Sequence, residues 1–147
     1  MELPKAPDRQ PDERVEGIKL LTYQNALYRL TGDKNLIHID SKVAANAGFP
    51  QPILHGLCTH GISARAVFEK LNQNSQSSIN QSQISKIGAR FTSHVFPGET
   101  LSVGLWRLSP ERIFYETKVK ERGTTALKGF MNLCQRRAFK TVVRTIL

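Results

Sequence analysis

The feature that most limits the possible folds is a change of hydrophobic period near the middle of the chain. From 56 to 71 apolar and small residues recur at helical spacing, with few charges among them. A helix that is apolar on most sides is typical of a central, buried position. Its main predicted stripe is Leu57, Gly61, Ala64, Phe68 and Leu71. A polar stretch, 72–83, follows and cannot build core.

Four segments after this polar stretch alternate apolar and polar residues, as half-buried strands do. They span 87–95, 101–105, 113–119 and 127–133, and short turns separate them. Strands joined in this way predict an antiparallel meander. We therefore expect an α+β fold in which a curled sheet wraps one helix, the hot-dog arrangement. One such unit leaves sheet edges exposed, so we expect two copies to pair as a homodimer.

Two shorter helices are predicted ahead of the central one. Thr22 would cap the first, and Gly32 would end it; its apolar face would be Tyr23, Ala26, Leu27 and Leu30. Ser41 would cap the second, over 43–47. In domain terms, we expect a flexible lead-in over 1–13, one domain over 14–135 and a basic tail over 136–147.

A polar cluster between the two short helices carries the chemistry that we expect. Asp33 and His38 place a carboxylate and an imidazole five residues apart, with Asn35 between them. Both ionisable groups have pKa values that burial can move toward neutrality, so together they can hold a water and exchange protons with it. Asn35 does not titrate, but its amide can orient water or a substrate oxygen. The plainer interpretation makes Asp33 a turn residue after a glycine.

His55 and Gly56 open the central helix. The first N–H groups of a helix lack internal acceptors and lie at the positive end of its dipole. The Gly56 N–H can therefore stabilise a carbonyl oxygen that gains negative charge, and glycine allows a close approach. We interpret His55 as a hydrogen-bonded pocket wall, and His60 and His94 as structural or exposed. This combination suits water addition to, or removal from, a double bond conjugated to a carbonyl, and that reaction needs no metal or cofactor.

Charge and cysteine content limit which classes of partner and which cellular compartment we expect. The formal net charge is +9, but the basic residues are scattered except near the C-terminus, and no nucleic-acid-binding pattern is present. A polyanionic small molecule explains the charge as well as simple solubility does. Cys58 and Cys134 lie in apolar patterns and are expected to be reduced. We find no signal peptide, membrane span or terminal Ser-Lys-Leu, so we expect a soluble intracellular protein with no membrane partner.

Three stretches resemble a known family. The segment YRLTGDKNLIH, from Tyr28 to His38, is similar to the signature of the MaoC-like, R-specific enoyl-CoA hydratases, also called hydratase 2. The stretch AGFPQPILHGLCTHGISAR is especially similar to the catalytic half of the eukaryotic peroxisomal enzymes, and the later FTSHVFPGETL resembles the strand-turn-strand of the same family. Leu36 departs from the proline that the family usually has there. The non-catalytic N-terminal half of the eukaryotic enzymes has no counterpart, which leaves acyl length open.

The resemblance implies a hot-dog fold and hydration of trans-2-enoyl-CoA to (3R)-hydroxyacyl-CoA in fatty acid β-oxidation. It implies that Asp33 and His38 are the catalytic pair, that Asn35 assists, and that the Gly56 N–H binds the thioester oxygen. The positive charge would then attract the phosphates of coenzyme A, and the compartment would be peroxisomal or cytoplasmic. Two alternatives stay open. One is a hot-dog acyl-CoA thioesterase, and the other is a non-catalytic acyl-CoA-binding module.

Overall fold

The computed structural model describes residues 5–73 and 83–134. Five strands form one sheet: β1 (Glu13–Lys19), β2 (Gln83–Phe91), β3 (Thr100–Ser109), β4 (Arg112–Val119) and β5 (Thr124–Cys134). The helices are α1 (Gln24–Arg29), α2 (Ser41–Asn46) and α3 (Gly56–Gln73), and one turn of 3-10 helix lies at Leu36–His38. No helix within the described ranges is long and apolar enough to cross a membrane.

The sheet is antiparallel throughout, in the order β1-β3-β4-β5-β2. Only β3, β4 and β5 follow one another as the predicted meander. The strand β2 pairs with β5 instead of β3, so the prediction of four consecutive neighbours was wrong. The short turn at Pro97-Gly98 joins the loop after β2 to β3 without making them a hairpin.

The core lies between α3 and the inner face of the sheet, which confirms the predicted α+β hot-dog fold. Ala64, Val67 and Leu71 of α3 belong to one apolar cluster with buried residues of β3, β4 and β5. The predicted stripe is only partly correct, because Leu57 is 64% exposed and Gly61 is also exposed. Small polar residues fill part of the interface instead: Ser63 is fully buried and accepts a hydrogen bond from Thr117.

The strand β1 was not predicted because it carries little apolar signal. It lies at an edge of the sheet, and charged residues alternate through it, so only Val15 and Ile18 are apolar. Its register with β3 shifts between these two residues, at Gly17. Gly17 has a φ of +72°, which glycine adopts without strain. The shift removes the strict alternation on which recognition of a strand depends.

The face that α1 buries is not the predicted one. Tyr23, Leu27 and Leu30 are 56%, 43% and 84% exposed, whereas Asn25 is buried. The residue before the helix is Tyr23 and no side chain caps it, so Thr22 is not the cap. In α2 the cap is Asp40, whose carboxylate accepts hydrogen bonds from the N–H groups of Lys42 and Val43; Ser41 is the first helical residue instead.

The chain leaves the sheet earlier than predicted at the end of β2. Residues 92–96 form a wall beyond the end of β2. The Thr92 and Ser93 N–H groups still donate to the Ala126 carbonyl of β5, whereas the Val95 carbonyl accepts a hydrogen bond from the Leu54 N–H at 2.7 Å. Residues 9–12, which we expected to belong to a flexible lead-in, contact β3. The Trp106 indole N–H donates to the Arg9 carbonyl at 2.9 Å, and the Arg107 N–H donates to the Asp12 carboxylate. Most of the polar stretch and the basic tail, 74–82 and 135–147, lie outside the described residues.

Candidate active site

A cleft of about 300 Å³ opens beside the first residue of α3. The turn that ends in His38, the residues leading into α3 and its first turn, the end of β2 with the wall after it, and one residue of β5 form it. Its lining residues are His38, Ile53, Leu54, Gly56, Thr59, Phe91, Thr92, Ser93, His94, Val95 and Ala126. Two of the four predicted site residues, His38 and Gly56, therefore face the same cleft.

The backbone around His38 fixes its imidazole. The ring Nδ1 lies 2.8 Å from the carbonyl oxygen of Ile53, so Nδ1 carries the proton and donates it. The Asn25 amide donates to the His38 carbonyl at 2.6 Å, and this explains why a polar residue occupies the buried face of α1. Because Nδ1 is engaged, Nε2 is the atom available for proton transfer.

Asp33 and Asn35 form two successive side-chain turns before the 3-10 helix. One Asp33 carboxylate oxygen accepts the Asn35 N–H at 3.0 Å. The Asn35 amide oxygen accepts the Ile37 N–H at 3.2 Å and caps the 3-10 helix. The plainer interpretation of Asp33 as a turn residue is thus also correct. Its other oxygen faces the histidines, and any contribution of Asn35 to a ligand would come from its amide nitrogen.

His55 connects the two candidate catalytic groups. Its ring stacks on His38 with 3.8 Å between centroids, and its Nε2 lies 3.9 Å from Asp33 Oδ2. The Tyr28 ring also packs on His55, with 4.5 Å between the ring centroids. His55 is 2% exposed, and neither ring nitrogen has a hydrogen-bond partner among the described residues. Burial lowers the pKa of His55, and the neighbouring His38 lowers it further.

Gly56 has an aromatic neighbour that limits the space around it. A Cβ placed on Gly56 would lie 3.2 Å from the ring of Phe91, closer than an ordinary contact. Phe91 is the last residue of β2 and is 48% exposed. The Cys58 and Thr59 N–H groups both bond the His55 carbonyl, so the N–H groups without an acceptor inside the helix are those of Gly56 and Leu57.

A bidentate ion pair supports the wall at 92–96. Arg122 donates to both oxygens of the Glu99 carboxylate, at 2.6 and 3.0 Å, and also to the His94 carbonyl at 2.7 Å. Glu99 accepts the Phe96 N–H at 2.7 Å. The Arg122 guanidinium lies over the Phe96 ring, 5.2 Å from its centroid. Neither Glu99 nor Arg122 was singled out from the sequence.

Asp33, His38 and His55 place one donor atom each within 4.8 Å of one another. Such a cluster raises the question of a metal site. His38 uses Nδ1 for the Ile53 carbonyl, and the two imidazoles stack with 24° between their planes. Lone pairs in two nearly parallel ring planes do not point at one common atom, as ligands of a zinc ion must. The cluster is better suited to proton transfer, and the absence of a metal stays a prediction.

The structure brings Asp33, His38 and Gly56 to one place and adds His55, which the sequence suggested only as a pocket wall. In the sequence, only the position of His55 next to Gly56 pointed to a place in the site. The role suggested for His60 as structural fits its contact with Tyr115, whose hydroxyl lies 2.9 Å from His60 Nε2. His94, by contrast, lines the cleft.

Comparison with known proteins decides the family. Residues 2–129 match the family model described as MaoC like domain. The chain belongs to the MaoC-like domain family. This confirms the resemblance drawn from the motifs around Asp33 and Gly56.

Relatives of this MaoC-like domain include hydratases and dehydratases. The chain is 45% identical to 3-hydroxyacyl-thioester dehydratase Y of Mycobacterium tuberculosis over 79% of its own length and 38% of the relative's. It is 41% identical to a peroxisomal enoyl-CoA hydratase 2 of Arabidopsis thaliana, over 88% and 40%. The structure of full-length peroxisomal multifunctional enzyme type 2 from Drosophila melanogaster superposes with a TM-score of 0.78 at 41% identity, over 91% of this chain and 24% of that one. The MaoC-like domain thus spans well under half the length of these relatives.

Proposed function

We propose that this MaoC-like domain is an R-specific enoyl-CoA hydratase, adding water to a trans-2-enoyl-CoA to give the (3R)-hydroxyacyl-CoA. The observation that carries the proposal is that His38 and the N-terminus of α3 line one cleft, and that the Asp33 carboxylate lies within 4.8 Å of the ligand atoms of His38 and His55. A carboxylate and an imidazole there can exchange protons with a water, while a helix N–H faces a thioester oxygen. The R configuration is taken from the resemblance to the hydratase 2 family.

The reaction needs two proton transfers and one charge to be stabilised. The oxygen of water bonds to the β-carbon while one member of the Asp33–His38 pair takes a proton from that water. The electrons of the double bond move toward the thioester oxygen, and the Gly56 N–H stabilises the enolate that forms. The other member of the pair delivers a proton to the α-carbon, so the product gains one hydrogen and one hydroxyl. His38 acts through Nε2, since Nδ1 is held by Ile53.

The substrate itself activates the double bond toward addition of water. The thioester of coenzyme A makes the double bond electron-poor, so the reaction requires no further cofactor. Asn35 would orient the water or a substrate oxygen through its amide nitrogen. The net charge of +9 favours approach of the coenzyme A phosphates.

The names of the relatives support this activity, and several of these names also state a peroxisomal location. Besides the dehydratase and hydratase already described, a peroxisomal multifunctional enzyme type 2 of Mus musculus is 43% identical over 84% of the chain. We extend to this chain the fatty acid metabolism that such names indicate. A peroxisomal location is the corresponding proposal for the compartment.

We also propose that two copies pair through β2. Both β1 and β2 are edges of the sheet, but β1 carries alternating charges, which discourage pairing. The strand β2 instead carries Ile84, Ile87 and Phe91 as exposed apolar residues. Pairing there would extend the sheet across two units and would cover the side of the cleft that Phe91 borders.

The test is hydration of trans-2-enoyl-CoA of short, medium and long chain, followed by loss of the conjugated double bond. The product is then oxidised with a dehydrogenase specific for R or for S hydroxyacyl-CoA. Product used only by the R-specific enzyme supports the proposal. Release of free coenzyme A without hydration would replace it with thioester hydrolysis, and acyl-CoA binding without turnover would indicate a binding module.

A further inference from the structure

His94 lies in the cleft but has no part in the proposed chemistry. It lines the same cleft as His38 and Gly56. Its ring is held between two aromatic rings, that of Phe49 at 5.0 Å and that of Phe96 at 4.8 Å, each meeting it edge to face. An imidazole so held has few rotamers left, so each of its two nitrogens points in a fixed direction of its own.

Arg122 determines which nitrogen of His94 carries the proton. The guanidinium Nη1 lies 3.3 Å from His94 Nε2, and a guanidinium can only donate. Nε2 is therefore the acceptor and Nδ1 the donor. Glu99 holds Arg122 in this position through both carboxylate oxygens. The charged neighbours of His94 are thus Arg122 and Glu99. Burial and Arg122 lower the His94 pKa and outweigh the opposing effect of Glu99, which favours the neutral ring.

The donor at Nδ1 is left for a ligand, because it has no acceptor among the described residues. An enoyl tail offers a single acceptor, the thioester oxygen, which the proposed function assigns to Gly56. A second donor in the wall is therefore matched to the pantetheine arm of coenzyme A, which carries amide carbonyls.

We propose that His94 binds the pantetheine arm of the substrate, donating a hydrogen bond from Nδ1 to an amide carbonyl, with Arg122 and Glu99 as positioning residues that fix its tautomer. This inference rests on the proposed function for the identity of the substrate. It adds a substrate-binding residue outside the Asp33–His38 pair.

The experiment compares crotonyl thioesters of coenzyme A, of pantetheine and of ethanethiol, with wild type, His94→Phe and His94→Asn. Phenylalanine keeps the ring between Phe49 and Phe96 but removes the donor, whereas asparagine keeps a donor near the Nδ1 position. For His94→Phe we expect KM to rise about three- to tenfold with the first two thioesters, as loss of one neutral hydrogen bond gives. We expect no change in kcat/KM with the ethanethiol ester, and His94→Asn should restore most of KM.

The positioning role of Arg122 is tested by Arg122→Met alone and together with His94→Phe. If Arg122 acts through His94, the single variant raises KM for the pantetheine thioester, and the double variant raises it no further than His94→Phe does. Thermal unfolding of each variant separates this effect from loss of the fold. A double variant with additive losses would overturn the positioning role.

Three results would overturn the role of His94 itself. These are an equal loss on all three thioesters, a loss confined to the coenzyme A ester, and an unchanged KM for His94→Phe. If the wild type hydrates none of the thioesters, the proposed function fails. Calorimetric binding of butyryl-CoA to wild type, His94→Phe and His94→Asn then tests His94 alone. Weaker binding only in the phenylalanine variant supports it, and equal binding by all three overturns it.

Discussion

Asp33 and His38 are held to different degrees, and this difference bears on their roles. His38 is fixed by the Ile53 carbonyl on its ring and by Asn25 on its backbone. The Asp33 side chain is 47% exposed and is oriented by a single backbone N–H, that of Asn35. We infer that His38 has one defined proton-transfer atom, while Asp33 gains its full alignment when substrate excludes water from the cleft.

Removal of either titratable group should abolish most turnover. For Asp33→Asn and for His38→Gln we expect kcat to fall by at least about 10²-fold, the usual contribution of a general acid or base. The fold should be unchanged, because neither group is part of the core. Hydration of crotonyl-CoA measures the effect, and Lys34→Gln, an exposed neighbour, is the control. Turnover near the wild-type rate in either variant would remove that residue from the site.

The buried histidines should make stability depend on pH. Burial lowers the pKa of His55, of His60 and of His94, while in the unfolded chain each titrates near its ordinary value of about 6.5. As pH falls below this value the unfolded chain binds protons that the folded chain resists. The free energy of unfolding should therefore fall between pH 7 and pH 5, by at most about 1.4 kcal/mol per pH unit for each histidine.

Urea unfolding at several pH values between 5 and 7.5 measures this slope. His60→Gln keeps a hydrogen-bond donor for Tyr115 but removes one titrating group, so its slope should be smaller than that of wild type. A free energy of unfolding that stays constant or rises on acidification would contradict the burial of neutral imidazoles.

At the residue scale, sequence reasoning named the proposed reacting groups but not the residues that surround them. Asp33, His38 and Gly56 lie in local motifs whose spacing carries the signal. His94 and Arg122 are 28 positions apart. Only the pairing of strands brings such residues together, and neither residue type is unusual in a loop or turn. His55 was adjacent to a recognised motif, but its stacking on His38 depends on the fold.

Among the elements, the short helix α2 shows how one hydrogen-bonding group defines a boundary. Asp40→Ala should lower the free energy of unfolding by about 1 kcal/mol, because the Lys42 and Val43 N–H groups lose their acceptor. Ser41→Ala should leave it nearly unchanged, since Ser41 is exposed and lies inside the helix. Chemical denaturation measures both variants. Equal losses for the two would mean that both side chains cap the helix.

Two glycines should respond to the same substitution in opposite directions. A Cβ on Gly129 of β5 would lie 2.4 Å from the ring of Tyr115, its partner on β4. Gly129→Ala should therefore destabilise the protein by about 1–3 kcal/mol, as overpacking does. A Cβ on Gly61 meets nothing within 4 Å. Gly61→Ala in α3 should stabilise by up to about 1 kcal/mol, so denaturation midpoints that move in the same direction would contradict this packing.

The elements that the sequence predicted well are those with strong periodicity and long-range burial. Helix α3 and strands β3 to β5 line the core, so the polarity of each residue indicates whether it faces the core or the solvent. The predicted face of α1 was wrong: Leu27 and the flanking Tyr23 and Leu30 are exposed, while Asn25 is buried and donates to the His38 carbonyl. The place of β2 next to β5 could not be read from turn signals, since these describe only neighbours along the chain.

For the whole molecule, exposed apolar residues indicate a partner. Those of β2 adjoin an open sheet edge, and a second group surrounds α1; this group comprises Leu21, Tyr23, Leu27, Leu30, Leu36 and Ile39. Exposed apolar groups that adjoin one another are typical of interaction surfaces.

Sedimentation velocity should show a dimer of this chain. Ile87→Glu places a charge on the proposed pairing edge and should shift the protein toward monomer. Leu108→Glu is the matched control, because Ile87 and Leu108 are 38% and 39% exposed and Leu108 lies on β3, away from that edge. A wild type that sediments as a monomer at all concentrations would refute the pairing, as would equal dissociation by both variants.

Because residues 9–12 pack next to Trp106, tryptophan fluorescence can show whether this segment is bound to the sheet. Trp106 is the only tryptophan in the chain, it is 8% exposed, and its indole donates to the Arg9 carbonyl on the outer face of the sheet. Its fluorescence therefore reports the outer face, while the cleft lies on the inner side beside α3. Emission that shifts to longer wavelength before the core unfolds would mark release of the N-terminal segment alone. One unlabelled protein sample thus allows detachment of that segment to be followed separately from substrate turnover.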